Sequence, residues 1–326
     1  MISQLILNGI IAGSIYALVA LGFTVIYRTV KFFNFAHGIV YTVGAYIAYS
    51  VLTLDFRQWT LDGRLWTLDS GQWTVNNGLW TLDYGRWTVA VLIGVIGAGV
   101  LGTLIDKLVY FPLRKQKASN LIFLLASFGV FIFLQNFIQL IYGAQILTIR
   151  TGPVKEGHQL SVFGYDLNAI ITNIQILILV VSLLVMVGLW VFIHRTKLGK
   201  AMRAVSDDPI AASVVGINPE KIITASFAIG SALAGAAGIL ISLETNIEPT
   251  MGFSAILKGI IASIIGGIGS IPGAMFGGFF LGIVDNLGIW KIQAGWKDCI
   301  SFVILIIFLL FRPWGMLGIR SEKEQL

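Results

Sequence analysis

Uninterrupted apolar runs close to 20 residues long recur from one end of this chain to the other, and their length restricts the fold more than any motif does. An α-helix rises about 1.5 Å per residue, so about 20 residues match the roughly 30 Å hydrocarbon core of a bilayer. Within that core every backbone N–H and C=O needs a partner in the protein, which leaves helices and closed barrels as spanning structures. Barrel strands would read as short alternating segments, whereas these runs are continuous. Charged residues make up 12% of the chain, half the roughly 25% of soluble domains. The expected fold is all-α, a polytopic transmembrane helical bundle forming one domain over residues 1–326, with about 8–9 spans. They fall at about 5–27, 33–52, 88–111, 121–142, 169–193, 220–243, 253–267, 273–290 and 298–312. The run at 253–267 is short for a full crossing and is the candidate for a broken or re-entrant helix. No Lys or Arg precedes Arg28 and the first run shows no processing site, so it reads as a retained span rather than a cleaved signal.

Orientation follows from the bias of Lys and Arg toward cytoplasmic loops. If 28–31, 107–117, 195–221 and 312–326 face inward, that side holds fourteen of the 22 Lys and Arg, the other side holds seven, and Lys258 lies in a span. This places the N-terminus outside and the C-terminus inside. It also accounts for the net charge of +6 without nucleic-acid binding, for which no basic arm exists.

Residues 58–88 are a tandem repeat with Trp59, Trp66, Trp73, Trp80 and Trp87 seven apart. One large anchor per heptad, interrupted by Asp-Gly and Asn-Gly pairs, does not make a coiled coil. Short Trp-Thr-Leu strands or a poorly ordered loop fit better, as a sequence expansion in a position that tolerates insertion. Small residues at four-residue spacing, such as Gly9 and Gly13, Gly230–Ala234–Gly238, and Gly278 and Gly282, are expected where helix backbones approach closely.

Three stretches hold the candidate functional residues. The polar interval 195–221 carries a short helix pattern, with Asp208 as N-cap, Pro209 as first helical residue and Gly216 as left-handed terminator. Asn218 and Pro219 repeat the start signal. The short helix offers Ile210, Val214 and Val215 to a partner; otherwise it is an ordinary capped loop. In FFNFAHG, Asn34 and His37 are three apart, so on a helix they share a face and either line a path or bond a neighbouring helix. In GGIGSIPGAMFGG, Gly266, Gly267, Gly269, Pro272 and Gly273 break an apolar run, which makes them candidates for a gate or a discontinuous helix beside a translocation path. Lys258 is placed to pair with Asp285 or Glu244. The single Cys299 and scattered His37, His158 and His194 offer no metal site, and no GxxxxGK[ST] phosphate loop occurs.

FNFAHG after the first span, LGKAMRAVSDDPIAASVVGIN, FAIGSALAGAAGIL, EPTMGF, IIGGIGSIPGAMFGG and the tail RPWGMLG stand in an order similar to one known family. The chain resembles the inner-membrane permease subunits of high-affinity branched-chain amino-acid ABC transporters, over nearly its whole length except the Trp repeat. The resemblance implies a non-catalytic permease of an ATP-driven importer for branched-chain or other neutral amino acids, multi-pass in the bacterial inner membrane and in contact with its lipid. It implies a second homologous permease, two cytoplasmic ATP-binding subunits and a periplasmic substrate-binding protein as partners, with ATP bound by those subunits and no cofactor held here. Coupling to the ATPase is then implied for Arg203, Asp208, Ala211, Ala212, Gly216 and Ile217. A related importer for urea or short amides is the alternative within this class. A stand-alone secondary carrier needs mid-span coupling carboxylates, for which only Asp106 and Asp285 offer themselves. An intramembrane hydrolase lacks any paired His or carboxylate arrangement.

Overall fold

A computed structural model describes residues 2–53, 78–149, 157–162, 165–290 and 293–318, and the statements below concern these. Helices α1 (Ile2–Val30) and α2 (Ala36–Thr53) are followed by α3 (Gly78–Ile105). A π-helical turn at Asp106–Tyr110 carries α3 directly into α4 (Phe111–Lys115). After α5 (Asn120–Tyr142) comes an antiparallel hairpin of β1 (Gly157–Val162) and β2 (Tyr165–Thr172), then α6 (Asn173–Arg195). Two short helices, α7 (Lys197–Asp207) and α8 (Pro209–Val214), lead to α9 (Pro219–Glu244), α10 (Met251–Gly266), α11 (Ile271–Gly288) and α12 (Lys297–Phe311). Six described helices are long and apolar enough to cross a membrane: α1, the Gly85–Lys115 stretch, α5, α6, α9 and α11. The expected short segment is the shorter apolar helix α10.

Burial sorts these helices into a centre and a rim. The most apolar window of α1 is 83% buried and that of α9 72%, against 22% for α5 and 28% for α6. Apolar side chains such as Leu125, Phe133, Leu184 and Val187 face outward on the rim helices, as a bilayer requires. The small-residue stripes are the seams of the centre. A Cβ at Gly9 would lie 2.7 Å from the Ile283 Cα, and one at Gly13 2.8 Å from the Phe279 Cα, so α1 and α11 meet backbone to backbone. On other faces of the centre, Gly22 meets the Gly230 carbonyl and Gly44 the Gly235 backbone.

Three readings are refined. The sixth helix begins at Asn173 rather than 169, because residues 169–172 belong to β2 and Thr172 forms a capping box with Gln175. The hairpin is fastened to α1 by Gln4, whose amide donates to the Ile170 carbonyl (3.0 Å) and accepts from the Ile170 N–H (2.7 Å). The end of the Trp repeat is helical from Gly78, not strand, so α3 starts ten residues before the expected span at 88. Trp59, Trp66 and Trp73 lie outside the described residues. The interval 195–221 contains α7 as well as α8, started by Thr196 accepting from the Gly199 N–H (3.0 Å).

The α1–α11 seam yields a paired expectation. A Cβ at Gly278 would collide with the Ala17 backbone, so Gly278→Ala should destabilise by about 1–3 kcal/mol. Gly188→Ala on α6, where nothing lies within 4 Å, should be close to neutral. Thermal melting of the two purified variants at matched expression distinguishes them.

Candidate functional site

The bundle has two ends, one carrying the β-hairpin and the other carrying α7 and α8. The 195–221 interval and the α10–α11 turn lie at the α8 end, and the Asn34–His37 stretch leads from the end of α1 back into the bundle.

Helix α8 is capped as its sequence requires. Asp208 Oδ1 accepts from the backbone N–H of Ile210 (2.8 Å) and Ala211 (3.1 Å). Gly216 has φ +86°, its N–H donates to the Ser213 carbonyl (3.1 Å), and Ile217 N–H reaches back to the Ala212 carbonyl (3.0 Å). That pair of reverse bonds is a Schellman turn, for which glycine is favoured. Asn218 at once caps α9 through Glu220 and Lys221. Ala212 is buried beneath the helix, while Ile210, Val214 and Val215 are 75%, 82% and 74% exposed. A six-residue helix is unstable alone, and here it is rooted on one face with an apolar face left open. Arg203 sits on α7 beside Arg28 and Met202, with its Nε buried and without a hydrogen-bond partner.

Asn34 and His37 are brought together, though not on one helix. α1 ends at Lys31 (φ +58°), residues 32–35 are non-helical, and α2 begins at Ala36. Asn34 therefore precedes the helix, its carbonyl accepting from the His37 N–H (3.4 Å). Its side chain accepts from the Tyr110 hydroxyl (2.7 Å) at the π turn. Ser127 of α5 accepts from the Phe35 N–H (3.2 Å), while its own hydroxyl donates to the Leu124 carbonyl (2.7 Å) with the Phe33 carbonyl farther off at 3.4 Å. His37 packs on Gly22, where an added Cβ would lie 2.8 Å from Nε2. Gly22 is eight residues before the end of α1, about 12 Å along the helix, so the break re-enters the bundle.

Gly266, Gly267, Gly269, Pro272 and Gly273 form the turn between α10 and α11. Gly267 and Gly269 have φ of +109° and +86°. Ser270 caps α11 through the Gly273 N–H (3.2 Å), with Pro272 in the first turn. A Cβ at Gly266 or Gly273 would strike the other's backbone. The C-terminal tail straps this turn: Met316 and Leu317 N–H donate to the Ile265 (2.7 Å) and Gly266 (2.9 Å) carbonyls, which the end of α10 leaves free. Among the described residues no side-chain hydrogen bond joins this turn to Asn34 or His37.

Two polar clusters were not anticipated as units. Asp106, fully buried, accepts from Arg114 Nη1 (2.7 Å) and the Thr224 hydroxyl (2.7 Å), and Arg114 also pairs with Glu220 (2.9 Å). This network ties the π turn to the first turns of α9, directly after α8. Arg114 is eight residues from Asp106, a spacing no helical pair rule flags. At the hairpin end Lys258 pairs with Asp285 (2.7 Å) and Asp298 (3.2 Å), not with Glu244. It lines a cavity of about 440 Å³ among α1, α9, α10 and the ends of α11 and α12.

The chain matches the family described as branched-chain amino acid transport system permease component over residues 5–309. It is 38% identical over 325 residues to the high-affinity branched-chain amino acid transport system permease protein BraD of Pseudomonas aeruginosa, covering 99% of this chain and 97% of that protein. It is 35% identical over 330 residues to LivH of Escherichia coli, with 99% and 97% covered. To the probable branched-chain amino acid transport permease protein LivH of Methanocaldococcus jannaschii it is 30% identical over 335 residues, with 98% and 94% covered. No solved structure matches.

Arg114→Ala would leave Asp106 buried with one hydroxyl partner. Loss of one member of a buried pair costs about 3–5 kcal/mol, so the melting temperature should fall sharply. The double variant Arg114→Ala with Asp106→Asn should recover part of that loss. Melting of wild type, both single variants and the double variant measures the coupling.

Proposed function

The chain belongs to the family of branched-chain amino acid transport system permease components, and from that premise we propose that it carries branched-chain or other neutral amino acids inward across the bacterial inner membrane. In this reading it acts as one of two homologous permeases, served by two cytoplasmic ATP-binding subunits and a periplasmic substrate-binding protein. ATP is bound and hydrolysed by the partner subunits; this sequence holds no phosphate loop.

The observation that carries the proposal is α8. It is a rooted helix, capped at both ends, presenting Ile210, Val214 and Val215 to the aqueous phase. Such a knob suits a groove on a moving cytoplasmic subunit. Asp208, Ala211 and Gly216 set its start, first turn and exit, and Ala212 with Ile217 seats it on the bundle. Arg203, on the neighbouring α7, belongs to the same coupling unit in this scheme. Displacement of α8 passes to α9 through the Asn218 cap. From α9 the Glu220–Arg114–Asp106 bridge reaches the π turn, and Tyr110 reaches Asn34 in the re-entrant break. ATP-driven movement at the surface is thus linked to the place where α2 begins within the bundle. The α10–α11 turn, strapped by the C-terminal tail, serves in this scheme as a firm closure beside that path.

Orientation has a direct test. With Cys299→Ser as background, His158→Cys should react with an impermeant thiol reagent in intact cells, while Lys200→Cys should react only after permeabilisation. The reverse pattern would place α8 outside and sink the proposal.

Coupling has another. No atom lies within 4 Å of a Cβ added at Gly216, so the effect of a substitution is confined to the backbone. Gly216→Val should abolish transport with the permease still in the membrane, since a β-branched residue strongly disfavours φ +86°. Gly216→Asn, which tolerates that region, should retain most of it. Co-purification of the ATP-binding subunit and ATP hydrolysis stimulated by loaded binding protein are the readouts; wild-type values for Gly216→Val would remove α8 as the coupling element.

A further inference from the structure

Resting on that reading, the structure also points to where the carried molecule pauses: we propose that the cavity at the hairpin end is a binding subsite for the zwitterion of an aliphatic amino acid, with its carboxylate at Lys258 and Lys297, its ammonium at Glu244 and its side chain against α1.

The cavity volume of about 440 Å³ falls in the range of about 300–1,000 Å³ usual for small-molecule sites. One wall is apolar. Ile11, Ile15 and Val19 follow at four-residue spacing on one face of α1, and Ile241 of α9 also lines the cavity. Glu244 and Lys297 come from helix ends and Lys258 from the middle of α10, and both signs of charge are present.

Donor and acceptor counts leave room for a ligand. An ammonium has three N–H donors. Lys258 directs two at Asp285 (2.7 Å) and Asp298 (3.2 Å), and Tyr16, which also lines the cavity, stands beside the same ammonium with its ring 5.2 Å from Nζ. Lys297 gives one to Asn286 Oδ1 (3.2 Å) and keeps two. Glu244 is held by Gln175, whose Nε2 donates to Oε1 (2.8 Å), so Oε2 retains its acceptor capacity. The Asp298 side chain is 65% exposed, so solvent reaches the Lys258 cluster. A purely aliphatic ligand would leave the open Lys297 donors and the Glu244 acceptor unused, and an anion or a cation alone would use only one of them. A molecule carrying both charges on one carbon and a branched hydrocarbon chain uses all three surfaces.

The test uses the assembled permease–ATPase complex in nanodiscs without binding protein, so that any selectivity measured is the membrane part's own. The probe is a diazirine analogue of leucine, with labelled peptides mapped by mass spectrometry. Labelling is expected on α1 and α9 peptides lining the cavity and should be suppressed by leucine. 4-Methylpentanoate, which lacks the ammonium, and 3-methylbutylamine, which lacks the carboxylate, should each compete about tenfold less well, the equivalent of one charge-assisted hydrogen bond. Lys258→Met would strand Asp285, so the informative variants are Glu244→Gln and Lys297→Gln. In Glu244→Gln the discrimination against 4-methylpentanoate should shrink to about twofold, and in Lys297→Gln that against 3-methylbutylamine should do the same. Glu244→Asp should restore part of the first. Labelling elsewhere, labelling indifferent to leucine, or discrimination unchanged in both variants overturns the subsite. Failure of the transport reading is separate: the wild-type complex supplied with its binding protein would then not accumulate branched-chain amino acids in vesicles.

Discussion

Unpaired backbone groups are not tolerated in hydrocarbon, and each interruption of a helix in this bundle is arranged around that constraint. Between α1 and α2 the freed N–H of Phe35 is taken up by one side chain, Ser127, sent in from α5. Within the Gly85–Lys115 span the interruption is a π turn, which keeps its bonds internal and swings Tyr110 toward Asn34. At the end of α10 the free carbonyls meet the N–H groups of the C-terminal tail. Three breaks thus receive three different partners: a hydroxyl, an altered helical register and a returning strand of tail. Each solution also fixes a neighbour, so the breaks hold the bundle together instead of weakening it.

Close helix packing is the second consequence of a lipid environment. Tails are as apolar as leucine, so helices gain nothing from hiding hydrocarbon and must gain from contact. The seam of α1 with α11 achieves this by bringing backbones together at Gly9, Gly13, Gly278 and Gly282. Because α1 is surrounded by α9, α10 and α11, movement entering through α9 is passed to a helix with little freedom to absorb it. A rigid centre with the exposed helix α8 at one end fits the proposed coupling to a separate subunit.

Periodicity and end signals were legible where local chemistry decides the outcome. Asp208, Pro209, Gly216, Asn218 and Pro219 announce α8 and the start of α9 because capping depends on residues two to four apart. The small-residue stripes announced the seams for the same reason. The β-hairpin was missed because Tyr165–Thr172 runs into the apolar stretch of α6, and only the Thr172–Gln175 capping box marks the boundary. The pre-helical position of Asn34 was missed because no residue type in FFNFAHG forbids helix; the partners of the break, Tyr110 on Asn34 and Ser127 on Phe35, come from distant parts of the chain. Charged pairs were the least legible. Lys258 with Asp285 was one of two pairings open to the sequence, but Asp106 and Arg114 meet across a π turn and Asp298 joins Lys258 from a third helix, so these contacts are properties of the fold.

Those pairs are better understood by location than by strength. A buried ion pair contributes little net stability over an apolar replacement, whereas losing one partner is severe. Both clusters therefore act as constraints on geometry. Asp106, Arg114 and Glu220 fasten α9 to the Gly85–Lys115 span next to α8, where movement would enter. Lys258, Asp285 and Asp298 fasten α10 to α11 and α12 beside the cavity at the other end. Helix α10 begins at the cavity and ends at the strapped turn, while α9 begins at α8 and ends at Glu244 on the cavity wall. The same two helices thus touch both ends of the molecule, and a shift of α9 against α10 would alter the spacing between Glu244 and Lys258. In the proposed scheme, release of a molecule held between those two charges follows from moving the helix that α8 precedes.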